Sequence, residues 1–379
     1  NTIQNKMFDF DNSTFLNKLR EENHNNTKSS ECNRCWEAEA NNLKSKRESA
    51  VEFYEENNID DVIKLHTLEY NTTWACNLGC IMCDPMYSST LATELGVTTL
   101  FKQQSVESKS NQILNELDLS NIKRVHFNGG EPLINSVHLD VLKKIPTLSD
   151  CKVSYNTNGT KIPSDEVMHY WSKCKMVRIF FSIDAIGDAF NYIRWKADWD
   201  SVKKNMQWFV ENAPSNVMFG INATVGVYNL LEIPEMYNWY KSEFSTNREG
   251  DRTDFNWQVA YNYDFANASH IIKTDALNEL GKHNILPSLC HAVTERLNKE
   301  QNDDWIINLN NIDARRNTDW KAALQFEWAW KFYSRKLSKS LFPMDRRTQA
   351  LNALLSLEKP TSKSIPYVEW DNPIEVVWE

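Results

Sequence analysis

Glycine is scarce in this chain, with 10 among 379 residues. Few places can therefore take a positive φ or a close backbone contact, and the adjacent pair Gly129 and Gly130 stands out. Long apolar runs are missing too. None approaches the roughly 18 residues of a membrane-spanning helix, so no membrane partner is expected. The opening stretch NTIQNKMFDFDNSTF has neither an initiator Met nor the charged-then-apolar layout of a secretory signal, and a cytoplasmic location is expected. An excess of basic charge is also absent. The formal net charge of −9 argues against a passive nucleic-acid coat, so no nucleic-acid partner is indicated. What is present, 41% hydrophobic and 12% aromatic residues, suffices for a folded core.

Residues 1–58 are polar, rich in Asn, Glu and Lys, and read as an extension with short helices, for example over 37–57. From about residue 59 an alternation begins. β-rich runs at 62–74, 122–130, 151–159, 176–185, 217–227 and 254–262 are separated by stretches with apolar residues three and four apart. Strands alternating with helices imply parallel pairing. Six such units predict an α/β fold, a partial (β/α)6 TIM-type barrel over 59–265, with an open doubly wound sheet as the alternative. Residues 266–379 read as a mostly helical C-terminal region.

Eight cysteines are present. In a chain without an export signal, clustered cysteines bind metal more often than they form disulfides. Cys76, Cys80 and Cys83 fall within eight residues, at the end of the first strand. Three thiolates at this spacing can wrap one metal cluster, and an iron–sulfur cubane ordinarily takes four Cys ligands. A missing fourth ligand leaves one iron open, as catalytic metals keep an open position. A zinc loop or three buried free thiols are the alternatives. Polar segments close the next three strands: FNGGEP, YNTNGT and FSIDA. Strand C-termini of parallel α/β folds form the ligand site.

These residues are similar to a known family. CNLGCIMC resembles the Cx3CxφC signature of the radical S-adenosylmethionine (radical SAM) superfamily, and FNGGEPL resembles its GGEP motif. YNTNGT and FSIDA resemble motifs of its SPASM/twitch-like branch. The similarity covers roughly residues 60–230. It implies a 4Fe-4S cluster on Cys76, Cys80 and Cys83, with S-adenosyl-L-methionine on the fourth iron. Its methionine amine would be held by Gly129, Gly130 and Glu131 after Asn128. Asn158 and Ser182 would face the ribose and methionine, with Asp184 beside them and Arg194 taking the carboxylate. Met82 stands where much of the superfamily has an aromatic, and a thioether packs well on an adenine ring. The resemblance further implies an electron from a low-potential donor such as flavodoxin or ferredoxin, and a 5′-deoxyadenosyl radical that abstracts hydrogen from a peptide or protein side chain. The alternatives are a nucleotide, sugar or other small-metabolite substrate, or a non-catalytic metal-binding or interaction protein.

Other residues are less determined. Cys32 and Cys35 form a CxxC pair that with Cys290, and with His24 or His291, makes a candidate second metal site; the alternative is a pair of loop thiols. Cys151 and Cys174 precede strands and read as structural. Trp257, Trp320, Trp328, Trp330 and Tyr333 read as helical packing rather than a substrate groove. The pairs Arg315–Arg316 and Arg346–Arg347 read as solvated helix faces.

Overall fold

A computed structural model of the chain describes residues 13–25, 27–40, 44–59, 64–98, 114–244, 254–260, 263–282, 286–299 and 304–324. Those up to 59 belong to one compact unit and those from 64 to 324 to another. The boundary expected at 265/266 thus falls inside the larger unit. Trp328, Trp330, Tyr333, Arg346 and Arg347 lie outside the described residues.

The smaller unit holds α1 (Thr14–His24), α2 (Asn33–Ala40) and α3 (Lys46–Glu56). The helix expected over 37–57 is two helices, because Ser45 caps α3. Its Oγ accepts from Glu48 N at 3.0 Å, and its own N–H donates to Glu48 Oε2 at 2.9 Å, a reciprocal capping box. Arg47 then ties α3 back to α2. It forks onto Glu39 through Nε (3.0 Å) and Nη2 (2.7 Å) and lies 4.5 Å over the Trp36 ring.

In the larger unit each of the six apolar runs forms a strand. The order along the chain is β1 (Thr67–Asn71), α4 (Ser89–Glu94), β2 (Arg124–Asn128), α5 (Val137–Lys144), β3 (Lys152–Thr157), α6 (Asp165–Lys173), β4 (Met176–Phe181), α7 (Gly187–Ile193), α8 (Trp199–Asn212), β5 (Val217–Val225), α9 (Ile233–Trp239) and β6 (Asp254–Val259). Then come α10 (His270–Lys282), α11 (Pro287–Glu295), α12 (Asp304–Arg316) and α13 (Trp320–Ala323). Every strand pair is parallel, and the sheet order is β1-β2-β3-β4-β5-β6. A doubly wound sheet would reverse its order at a switch point; this one runs in sequence, as a barrel does. The sheet curves enough that Asn222 on β5 reaches Asn156 on β3 across β4, at 3.3 Å. The fold is a partial barrel.

The strands explain why one face is open. Parallel strands buried on both faces read as continuous apolar runs, whereas these alternate. Val125, Phe127, Val153, Tyr155, Val177, Ile179 and Phe181 are buried. The residues between them are only part-buried or exposed: His126 and Asn128, Ser154 and Asn156, Arg178 and Phe180. The apolar set packs under the helices. Tyr155 meets His138 of α5 and Trp171 of α6, and Phe181 meets Phe209 of α8. The other set, polar except for Phe180, points to the opposite face of the sheet. Cys151 and Cys174, ahead of β3 and β4, are buried, as structural thiols should be. α10 joins α11 through Lys273, whose buried ammonium donates to the carbonyls of Ala266, Arg296 and Lys299 at 3.0, 2.8 and 3.2 Å. Among the described residues no helix is long and apolar enough to cross a membrane.

One core group makes this packing sensitive to pH. Trp171 Nε1 donates to Tyr155 Oη at 3.2 Å, which leaves the phenol proton to His138 Nδ1 at 3.0 Å. His138 is therefore held neutral, and burial lowers its pKa to about 4. The unfolded chain binds this proton first, so the contribution is complete above the unfolded value and is lost as pH falls toward 4. Between pH 7 and pH 5 the wild-type protein should lose about 2 kcal/mol more unfolding free energy than His138→Gln. Urea unfolding at the two pH values measures this, and parallel losses in both proteins would refute it.

Candidate functional site

The three thiols sit on the loop that leaves β1, and its backbone is held from three sides. Toward α4, Ser88 Oγ donates to Leu78 O (2.6 Å) while accepting from Leu91 N as helix cap. Thr90 Oγ1 donates to Cys76 O (2.7 Å), and Cys76 N donates to Ser89 Oγ (3.1 Å). Toward the turn after α7, Gly79 N donates to Trp195 O (3.1 Å) and Ile81 N to Ile193 O (2.9 Å). Toward the end of β2, Gly130 N donates to Thr73 O (2.7 Å) and Glu131 N to Ala75 O (2.9 Å).

That last contact explains the glycine pair. Gly129 has φ +119°, a region closed to most side chains. A Cβ on Gly130 would lie 2.2 Å from Ala75 O. The expected role was close approach of backbone to a ligand. The close approach found is of backbone to backbone, between β2 and the thiol loop.

Glu131 is buried and its carboxylate is in use. It accepts from Thr157 Oγ1 (2.8 Å), Asn158 N (2.7 Å) and Leu133 N (3.1 Å), so it pins the end of β3 to the end of β2. Burial pushes its pKa up, while those hydrogen bonds pull it down. Burial also raises all three loop thiols, Cys76 to about 12. Burial thus favours the neutral form of these thiols. Two sulfurs have an N–H directed at them: Asn158 Nδ2 to Cys76 Sγ, and Arg194 Nη1 to Cys80 Sγ, each at 3.9 Å.

Asp184 and Arg194 form one buried pair. Arg194 Nε and Nη2 reach Asp184 Oδ2 at 2.8 and 2.7 Å, and Asp184 Oδ1 accepts from Thr224 N at 2.7 Å. Asp184 does not line the cavity; it holds Arg194. Arg316, expected on a solvated face, is 2% exposed. It clamps Glu94 of α4 (2.9 and 2.8 Å), donates to Gly79 O (2.7 Å) and stacks 4.4 Å over Trp195, so α12 grips the thiol loop.

A cavity of about 420 Å³ opens beside the thiols. Of the expected site residues, Cys76, Cys80, Cys83, Met82, Asn128, Gly129, Gly130, Glu131, Asn158, Ser182 and Arg194 all line it. Sequence reading missed Glu69, Asn71, Asn156, Thr224 and Gln258, which complete the lining from β1, β3, β5 and β6. Their signal was the polar half of the strand alternation. Two of them, Glu69 and Asn156, belong to a directed row: Asn222 donates to Asn156 (3.3 Å), Asn156 to Asn128 (2.7 Å), and Asn128 to Glu69 (2.7 Å). His126 accepts from Asn156 through Nε2 (3.1 Å) and, in that tautomer, donates through Nδ1 to Ser154 (2.7 Å).

Among the described residues, no three His, Cys, Asp or Glu side chains gather as they would around a single ion. Cys32 and Cys35 belong to the smaller unit and Cys290 to the larger.

The Radical SAM superfamily model matches residues 70–239, from β1 to α9. A GTP 3′,8-cyclase of Petrotoga mobilis is 26% identical over 38% of this chain and 42% of its own length. A protein of Archaeoglobus fulgidus described only as uncharacterized is 24% identical over 48% of this chain and 40% of its own. The chain thus spans less than half the length of these curated relatives. Among solved structures, native anSMEcpe with bound AdoMet aligns over 57% of this chain and 59% of that one, at 19% identity and a TM-score of 0.39.

The backbone contact at the glycines gives a direct test. Gly130→Ala must push β2 away from the thiol loop, and should cost at least about 2 kcal/mol by urea unfolding. Gly281→Ala, on an open helical face, should be neutral or stabilise by up to about 1 kcal/mol. Equal stability of the two variants would contradict this reading.

Proposed function

We propose that this chain, whose residues 70–239 are a radical SAM domain, is an enzyme that binds a 4Fe-4S cluster through Cys76, Cys80 and Cys83 and opens S-adenosylmethionine reductively to take hydrogen from a polar substrate. The observation that supports this most is the loop itself. Three thiols, Cys80 buried and Cys76 and Cys83 half-buried, are fixed by backbone hydrogen bonds and face a cavity lined by strand ends. When bound, the cluster and its electron, drawn from a low-potential donor such as flavodoxin or ferredoxin, supply the reductive cleavage.

The chain's own residues do the rest. The thiols release their protons as iron binds. Gly130, Glu131, Asn158 and Ser182 form the wall nearest the loop, where the methionine and ribose groups belong, and Met82 offers a soft surface to adenine. Glu131 fixes that wall by bonding the end of β3.

The lining also bears on the substrate. Among the described residues that line it the one cation is Arg194, already matched by Asp184. A polyphosphate such as the GTP named for the Petrotoga relative would meet no free cation among these residues. The row from Asn222 to Glu69 instead presents amides and a carboxylate. This favours an uncharged or cationic substrate, a peptide or protein side chain, over a nucleotide.

After anaerobic reconstitution, the wild-type protein should carry about four irons. With dithionite it should form 5′-deoxyadenosine from S-adenosylmethionine, which chromatography detects. Cys76→Ala, Cys80→Ala and Cys83→Ala should each fall to the no-protein blank, and added GTP should not raise the wild-type rate. No product from iron-loaded wild type would refute the activity, and stimulation by GTP would refute the substrate class.

A further inference from the structure

A second role for Arg194 follows from how its guanidinium is divided. Nε and Nη2 form a fork that would suit a planar carboxylate, and Asp184 already closes it. Nη1 is left, and it points at Cys80 Sγ. Asp184 is fixed in turn. Its second oxygen accepts from Thr224 N, and its own carbonyl accepts from Asn229 Nδ2 at 2.8 Å. Arg194 also cannot drift from the sulfur, because the residues on either side of it, Ile193 and Trp195, are hydrogen-bonded to Ile81 and Gly79, on either side of Cys80. The arginine and the cysteine move as one body. Arg194 is 8% exposed and Asp184 fully buried, so little solvent screens the charge.

We infer that Arg194, oriented by Asp184, is a positioning residue that directs a cationic N–H onto Cys80 and so raises the reduction potential of the cluster; this rests on the cluster assignment of the preceding subsection. A hydrogen bond to a cluster sulfur and a nearby positive charge both favour the more negative, reduced state. The three cysteines are unequal in this respect. Cys76 has a neutral donor in Asn158, and the Cys83 thiol donates to the Asp84 carbonyl at 3.5 Å. Cys80 alone has a charged one.

EPR-monitored redox titration without S-adenosylmethionine tests this. Arg194→Gln should lower the one-electron reduction equilibrium about tenfold, which is about 59 mV, at unchanged iron content. Arg194→Lys should fall between Gln and wild type, because it keeps the charge but not the directed N–H. A wild-type measurement covers the case in which neither variant folds. With guanidino-15N-labelled arginine, pulsed EPR of the reduced protein should show a weak 15N coupling to the cluster. Unchanged potentials in iron-loaded variants would overturn the inference, as would absence of that coupling. A variant that weakens S-adenosylmethionine binding but leaves the ligand-free potential alone would assign Arg194 to the methionine carboxylate instead. Failure of the wild type to hold iron would refute the cluster assignment itself and is read separately, from its iron content.

Discussion

The backbone contact between the thiol loop and the end of β2 sets the geometry of the site. It works only because Gly130 has no side chain: its N–H reaches Thr73 O at 2.7 Å where a Cβ would meet Ala75 O at 2.2 Å. The pairing of β1 with β2 thereby continues past the strands and carries the thiols to the sheet's edge. Glu131 follows directly and ties in β3. Cys80 is held on the other flank by Trp195 and Ile193, and Arg316 closes the remaining side from α12. The three sulfurs are thus placed by main-chain and buried polar contacts.

Much of this was legible in the sequence. The six strands were, because each has a period-two run bounded by polar turns, and the parallel pairing followed from the helices between them. The thiol loop and the strand-end motifs were, because chemistry restricts the residue types that can stand there. What escaped was set by contacts distant in sequence. Arg316 looked like one of a solvated basic pair, and only the fold brings it to Glu94, 222 residues away. Asp184 was expected among the ligand-facing residues, and it bonds Arg194 instead of lining the cavity; a carboxylate that binds a ligand and one that orients an arginine have the same sequence signature. The glycine pair was noticed for the close backbone approach that it allows, but the backbone it meets, at Thr73 and Ala75, could not be named from the sequence.

The alternation of the strands carries two kinds of information. Its apolar half describes the core, where Phe127, Tyr155 and Phe181 meet the helices. Its polar half describes the cavity, since a parallel sheet keeps polar side chains on one face only when that face is left uncovered. Glu69, Asn128 and Asn156 are therefore as much a product of the fold as the hydrophobic residues beside them. They also make the cavity wall a connected surface rather than a set of independent contacts.

That connection has a direction. From Asn222 through Asn156 and Asn128, each amide gives its hydrogen toward β1, and the row ends on the one residue in it that can only accept. Such a row is a wire with a fixed polarity, because amide dipoles laid head to tail reinforce one another. A group that bonds Glu69 would meet a carboxylate whose Oε1 already accepts from Asn128, at the end of a chain of amides that reaches back to β5.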